Sequence, residues 1–420
     1  MAKSSELNTY SSHITLPGRI YLYTATINLN FMSTLNSAPC LIKYSASQFF
    51  FFCFSLICLL SISQNSVKTK YNNASVYTGI EVGSKGVKMS MIEMGKNAQK
   101  SGAINIIKDT SINTDFISFS DATFSATLNG LYALFTTATN NYQIPSENIF
   151  TVISSGVKMQ AEKDKKTEWI QKLIDSFRLK INEPTRKIEV VDVMKEAKLS
   201  HLGIVPESRR YSTFLIDIGS GNTKGGFFPY GDTKTFKLFE LNWGTKSVAN
   251  ATEKRCEDDH GVPNYNKHLQ RVLGGAEETD ITYAVNASGA YPLSDNIAVS
   301  GGIAWAIATL THPELIENPI VSVSYDEVKK FAEKAHNNYD ALSASFLSGN
   351  VNRKAEKDVI IKAVNQVHKV FDQKALMAGS GLLLKIMRQF ESSFATKYFY
   401  LVKNGQVGWV SAYVDQTISQ

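Results

Sequence analysis

Cysteine is scarce in this sequence and poorly placed for structural work. There are four in 420 residues, with no CxxC pair and no Cys/His cluster. That excludes a zinc ribbon and a disulfide framework. None of the seven histidines forms an HxxxH or HxH pair, so a histidine zinc site is not expected. No block of Lys or Arg stands out against a formal charge of +6, and nothing recommends a nucleic-acid partner. A GxxxxGK(S/T) phosphate loop is also missing. No apolar run reaches the roughly 20 residues of a spanning helix. What remains is an ordinary globular balance, 43% hydrophobic and 20% charged, at a length that suggests two domains.

The longest apolar run, Phe49 to Leu60, reads FFFFCFSLICLL and matches the core of a secretory signal. Lys43 lies upstream, and Ser61 and Ser63 offer small residues for cleavage before Gln64. Met32 is a more natural start than Met1. Residues 1–63 are therefore read as a leader, which implies a secreted or periplasmic protein, with a membrane anchor as the alternative. Cys58 follows the bulky Ile57, which argues against a lipoprotein cysteine. The leader carries Cys40, Cys53 and Cys58, three basic residues and one acidic residue. Its removal leaves 357 residues, a charge of +4 and only Cys256.

Two stretches then share one grammar. Tyr77 to Met94 reads YTGIEVGSKGVKMSMIEM: an apolar strand ending at Glu81, the turn Gly83-Ser84-Lys85-Gly86, and a second alternating strand. Phe214 to Phe228 reads FLIDIGSGNTKGGFF: a strand ending at Asp217, a turn carrying Gly219, Ser220 and Gly221, then Asn222-Thr223-Lys224. The acids lie 136 residues apart, which suggests a duplicated domain-sized unit. Glycines at such turns let backbone N–H groups approach a phosphate, and an acid at the strand end can hold a divalent metal. The alternative is a pair of plain hairpins whose glycines serve only the turns. A dinucleotide fingerprint is excluded, because Phe227-Phe228-Pro229 cannot open the required helix. A third glycine site, Ser300-Gly301-Gly302, sits between a short strand and an apolar helical run, where free N–H groups can meet an anion or simply allow close packing.

Between these motifs, strands at Ile149–Ile153 and Lys187–Val191 alternate with helical patterns at Ser125–Thr139, Thr167–Phe177 and Met194–Gly203, an α/β layering. The run Glu162 to Lys166 reads as a solvated helix start, and Gly203 as a helix stop. Helices are expected over Asp326–Ala335, Glu356–Phe371 and Ala375–Phe390, the last closely packed or bent at Gly379 and Gly381. The end, Lys397 to Val414, reads as two strands around an Asn404-Gly405 turn. The four tryptophans, in apolar surroundings, are expected in the core.

Taken in order, GIEVGSKG at Gly79–Gly86, KEAKLSHLG at Lys195–Gly203, LIDIGSGNTKG at Leu215–Gly225, VSGG at Val299–Gly302 and the late helix pair resemble the exopolyphosphatase / guanosine-pentaphosphate phosphohydrolase (Ppx/GppA) family of the actin–hexokinase–heat-shock ATPase superfamily. The resemblance runs from about Tyr77 to Val414. It implies two duplicated actin-like, ribonuclease H-like domains with mixed sheets flanked by helices and a cleft between them, here 64–210 and 211–420. It also implies Mg²⁺ or another divalent cation near Glu81 and Asp217, phosphate on the three glycine turns, and Glu196 as the catalytic carboxylate directing water at a terminal phosphate. The implied partner is polyphosphate or a phosphate-rich small molecule, and a homodimer is compatible with it. Two departures stand out. Glu81 replaces the usual Asp. Asn222-Thr223-Lys224 replaces a Ser-Thr-Glu triplet, so that a cation stands where a carboxylate is expected. Lys224 is then expected to touch phosphate directly. A non-catalytic phosphate binder and an actin-type ATPase are the rival readings.

Overall fold

The structure, a computed structural model, describes residues 69–84, 86–95, 104–290, 294–349, 351–390, 396–403 and 405–418. The leader, with its apolar run, and Lys85 lie outside the described residues. No helix among the described residues is long and apolar enough to cross a membrane.

The first half is built on strands β1 (Ser75–Val82), β2 (Gly86–Met94), β3 (Ile104–Asn113), β4 (Ile149–Ile153) and β5 (Ile188–Val190). They lie in the order β3-β2-β1-β4-β5. β1, β2 and β3 form an antiparallel meander, and β4 and β5 add in parallel beyond β1. Helices α1 (Asp121–Thr136) and α3 (Thr167–Lys180) cover one face, with α2 (Ser155–Lys163) following β4. The apolar stripe Ile170, Leu173, Ile174 and Phe177 of α3 packs with Leu131, Leu134 and Phe135 of α1 onto Ile80, Val82, Val87 and Met89. The charged run at 162–166 ends α2 and turns the chain, with Lys165 at φ 56°, rather than starting a helix.

Helix α4 (Val193–Ile204) leads to the second half, with strands β6 (Thr213–Ile218), β7 (Thr223–Phe227), β8 (Lys237–Leu241), β9 (Asn296–Ser300), β10 (Ile320–Val323) and β11 (Tyr398–Val402). Their order is β10-β11-β9-β6-β7-β8. The meander β6-β7-β8 followed by parallel β9 and β11 repeats the first half strand for strand, with β10 added antiparallel at the edge. The fold is thus mixed α/β in two repeated halves. The principal helices of this half are α5 (Thr245–Glu253), α6 (Val262–Ala276), α7 (Gly302–Thr311), α8 (Tyr325–Asn337), α9 (Lys354–Val370) and α10 (Gln373–Phe390). α10 is closely packed at its glycines, where a Cβ at Gly379 would lie 2.7 Å from Ile303 and one at Gly381 2.5 Å from Leu273.

The C-terminus corrects the expected hairpin. β11 is followed by helix α11 (Gly405–Ile418), whose Trp409, Val410, Tyr413 and Val414 recur at helical spacing. It packs on the first sheet, against Ile92, Met94 and Val152, and alongside Leu199 of α4. Two glycines make this possible. A Cβ on Gly79 of β1 would stand 2.2 Å from Val410, and one on Gly203 only 1.6 Å from the Gly408 carbonyl. Gly203 is therefore no helix stop: α4 continues to Ile204, and the glycine lets two helix backbones meet.

Candidate functional site

The repeat brings both glycine turns to the ends of β1 and β6. Each turn is closed by its own backbone, with Gly83 N–H donating to the Gly86 carbonyl (2.8 Å) and Gly219 N–H to the Asn222 carbonyl (3.0 Å). The turns converge on Gly156 in the first turn of α2, where a Cβ would lie 3.1 Å from Ser84 Oγ and 4.0 Å from Asn222 Oδ1. The third turn abuts the second half's acid. Gly301, at φ 97°, presses on the Ile218 backbone, Ser300 Oγ donates to Asp217 Oδ1 at 2.8 Å, and Gly302 opens α7.

Glu196 stands in the first turn of α4, a helix capped by Asp192 accepting from Lys195 N–H at 2.7 Å. Glu196 is 3% exposed. Its Oε2 accepts from the Ser155 N–H at 2.8 Å, which ties α4 to the start of α2, and its Oε1 lies 3.0 Å from Lys224 Nζ. The same ammonium is 3.4 Å from Asp217 Oδ2. Glu81 is also buried, accepting from Trp409 Nε1–H at 3.3 Å. Glu240 of β8 is the cross-strand partner of Lys224. A buried ammonium thus sits among carboxylates from both halves.

The electrostatics follow. Burial works to discharge Lys224, but Glu196, Asp217 and Glu81 reverse this and hold it protonated above the ordinary lysine range. For Glu196, burial pushes upward, while the Lys224 charge and hydrogen bonding from Ser155 win and hold the carboxyl below its ordinary value. Glu81 ends on the other side: burial raises it, Lys88 opposes, and the Glu196 charge adds to the rise. His201, further along α4, belongs to the core. Its Nε2 meets the Thr213 carbonyl at 2.9 Å, Phe228 and Phe236 pack edge-on to the ring, and burial lowers its pKa to about 4.

Of the expected site residues, Glu196, Lys224, Asp217 and Ser300 form one connected cluster, and Ser84 and Asn222 approach each other at Gly156, while Lys85 lies outside the described residues. Thr223 has a different partner, its hydroxyl donating to the Trp243 carbonyl at 2.7 Å. Lys224 is ion-paired with Glu196 and Asp217. With the Lys224 ammonium 3.0 Å from Glu196 Oε1 and 3.4 Å from Asp217 Oδ2, the donor set as arranged does not suit a divalent metal, and among the described residues no group of three or more His, Cys, Asp or Glu side chains is placed to hold one.

Sequence reasoning missed three features. Trp409 reaches Glu81 from a helix read as a strand. Gly244 is required because a Cβ there would lie 2.6 Å from the Gly219 carbonyl, and the first N–H groups of α5 bind the turn's carbonyls, Thr245 to Gly219 and Lys246 to Ser220. The third was visible in the letters. Both turns read acid-x-Gly-Ser-x-x-x-Lys, Glu81 to Lys88 and Asp217 to Lys224, and the strand register pairs each acid with its lysine. A groove of about 330 Å³ between α6, α8 and α10 is lined by none of these residues.

Neither a protein-family model nor a curated protein matches the chain. Solved structures do. The Aquifex aeolicus member of the Ppx/GppA family superposes with a TM-score of 0.55 at 16% identity, covering 82% of this chain and 98% of that one. An exopolyphosphatase-like protein gives 0.53 at 13% identity, over 82% and 100%. An exopolyphosphatase from Cytophaga hutchinsonii gives 0.51 at 12%, over 81% and 98%. The chain has the two-domain actin-like fold of the Ppx/GppA exopolyphosphatase structures.

Proposed function

We propose that this protein takes the terminal phosphate of polyphosphate, or of a related phosphoanhydride, between its two glycine turns and hydrolyses it with water oriented by Glu196. The observation that carries this reading is the convergence of Ser84, Asn222 and the start of α2 within 4.0 Å of one point at Gly156, with Glu196 hydrogen-bonded to the neighbouring Ser155. Turn backbones and a helix N-terminus suit an anion. Phosphoryl transfer asks mostly for positioning and charge stabilisation, so a carboxylate kept ionised and fixed at both oxygens suits a water-orienting role. No step in this reading passes through a metal.

The Lys224–Glu196 ion pair favours a second reading, binding without turnover, because a carboxylate held by a cation is a weaker proton acceptor. Purified protein offered polyphosphate, ATP and guanosine polyphosphates separates the two. Phosphate release abolished by Glu196→Gln supports hydrolysis. Calorimetric binding without release supports the second reading. Release from ATP alone would favour an actin-type ATPase.

A further inference from the structure

We infer that Lys224 is the resident cation of this cleft, standing where a divalent metal would otherwise bridge the carboxylates of the two halves, so that the site binds its anion without metal. For the identity of the anion this rests on the proposed function; for the metal it does not.

A magnesium ion needs oxygens at about 2.0–2.1 Å in near-octahedral array. The oxygens placed to supply them, Glu196 Oε1 and Asp217 Oδ2, both lie against the Lys224 Nζ, at 3.0 and 3.4 Å. An ion bonded to both would lie in the volume the ammonium occupies. Lys224 cannot readily swing away. It is 8% exposed, β6 and β8 flank its strand, and α4 carries Glu196 over it. Three further oxygens already accept hydrogen bonds, Asp217 Oδ1 from Ser300, Glu196 Oε2 from Ser155 and Glu81 Oε2 from Trp409. One fixed positive charge thus offsets carboxylates contributed by β1, α4 and β6, a task a bound cation performs in other sites.

The experiment uses the full chain and manganese(II) as the probe, followed by electron paramagnetic resonance without phosphate. Wild type should show only weak, non-saturating binding. Lys224→Gln, and more so Lys224→Glu, should gain a saturable site, tighter by roughly tenfold or more as ligand charge is added. Saturable binding to wild type, or no gain in folded variants, overturns the inference. Should the variants fail to fold, wild type decides alone. A melting temperature indifferent to manganese and to EDTA supports the inference, and a rise with manganese overturns it. Polyphosphate binding that EDTA abolishes also overturns it while leaving the proposed function standing. An absence of polyphosphate binding under every condition removes the proposed function and leaves the manganese result to be read by itself.

Discussion

The two hairpins are one device used twice, with different outcomes. In the first, Glu81 lies opposite a half-buried Lys88; in the second, Asp217 lies opposite a buried Lys224. The difference comes from what covers each. α4 places Glu196 over β7, and this extra carboxylate draws Lys224 inward into a two-sided ion pair. A second contrast falls two residues before each acid. Gly79 on β1 leaves room for α11, whereas the equivalent Leu215 on β6 fills its place with Val205, Ala298 and Val402. The C-terminal helix therefore docks on the first sheet and brings Trp409 to Glu81. Equal topology with unequal side chains has turned a symmetric pair of turns into one site with a carboxylate-rich floor and a built-in cation.

The sharpest way to break this comparison is to shorten both lysines. Lys224→Ala leaves Glu196 and Asp217 buried without their cation and should cost about 3–5 kcal/mol. Lys88→Ala, at a half-buried position, should cost under about 1 kcal/mol. Chemical denaturation of both variants reads the contrast, and equal losses would erase it. Next, the second half's residue can be carried into the first: Gly79→Leu should clash with Val410 and cost about 1–3 kcal/mol, with a shift in Trp409 emission. An unperturbed spectrum would mean that α11 does not depend on that glycine.

The smallest effects test the two opposed glutamates. Glu196 is held below its ordinary 4.5, so its contribution is present above that pH and lost as pH falls through the lowered value. Glu196→Gln should therefore destabilise at pH 7, by about 1–2 kcal/mol. Glu81 is raised above 4.5, so its contribution is present below that pH and lost as pH rises through the raised value. Glu81→Gln should raise the melting temperature at pH 7 by on the order of 1–2 °C, an advantage that fades towards pH 4. Shifts of the same sign in the two variants would contradict the assignment.

Much of this was legible in the sequence because local chemistry encoded it. Acid, glycine and alternating apolar residues mark both hairpins, and a helical run over Met194–Gly203 marks α4. The duplication showed in the motif spacing, and the strand orders repeat it. Two things were hidden by distance. Lys224 and Glu196 are neighbours only after α4 folds across β7, so the substitution of a cation was visible but its partner was not. Gly203 and Gly408 likewise explain each other only across a helix contact. The C-terminal helix was hidden by ambiguity instead: a short apolar stretch after Asn404-Gly405 fits a hairpin as well as a helix until the spacing of Trp409, Val410 and Tyr413 is weighed against it.

The central claim is that phosphate is held at the turns. Gly221 offers the most direct test, since a Cβ there would meet nothing within 4 Å. Calorimetric titration with polyphosphate should show binding to the wild type and a loss of at least roughly tenfold in Gly221→Asp, at an unchanged melting temperature. Equal binding by the two proteins, or none by the wild type, would contradict the account.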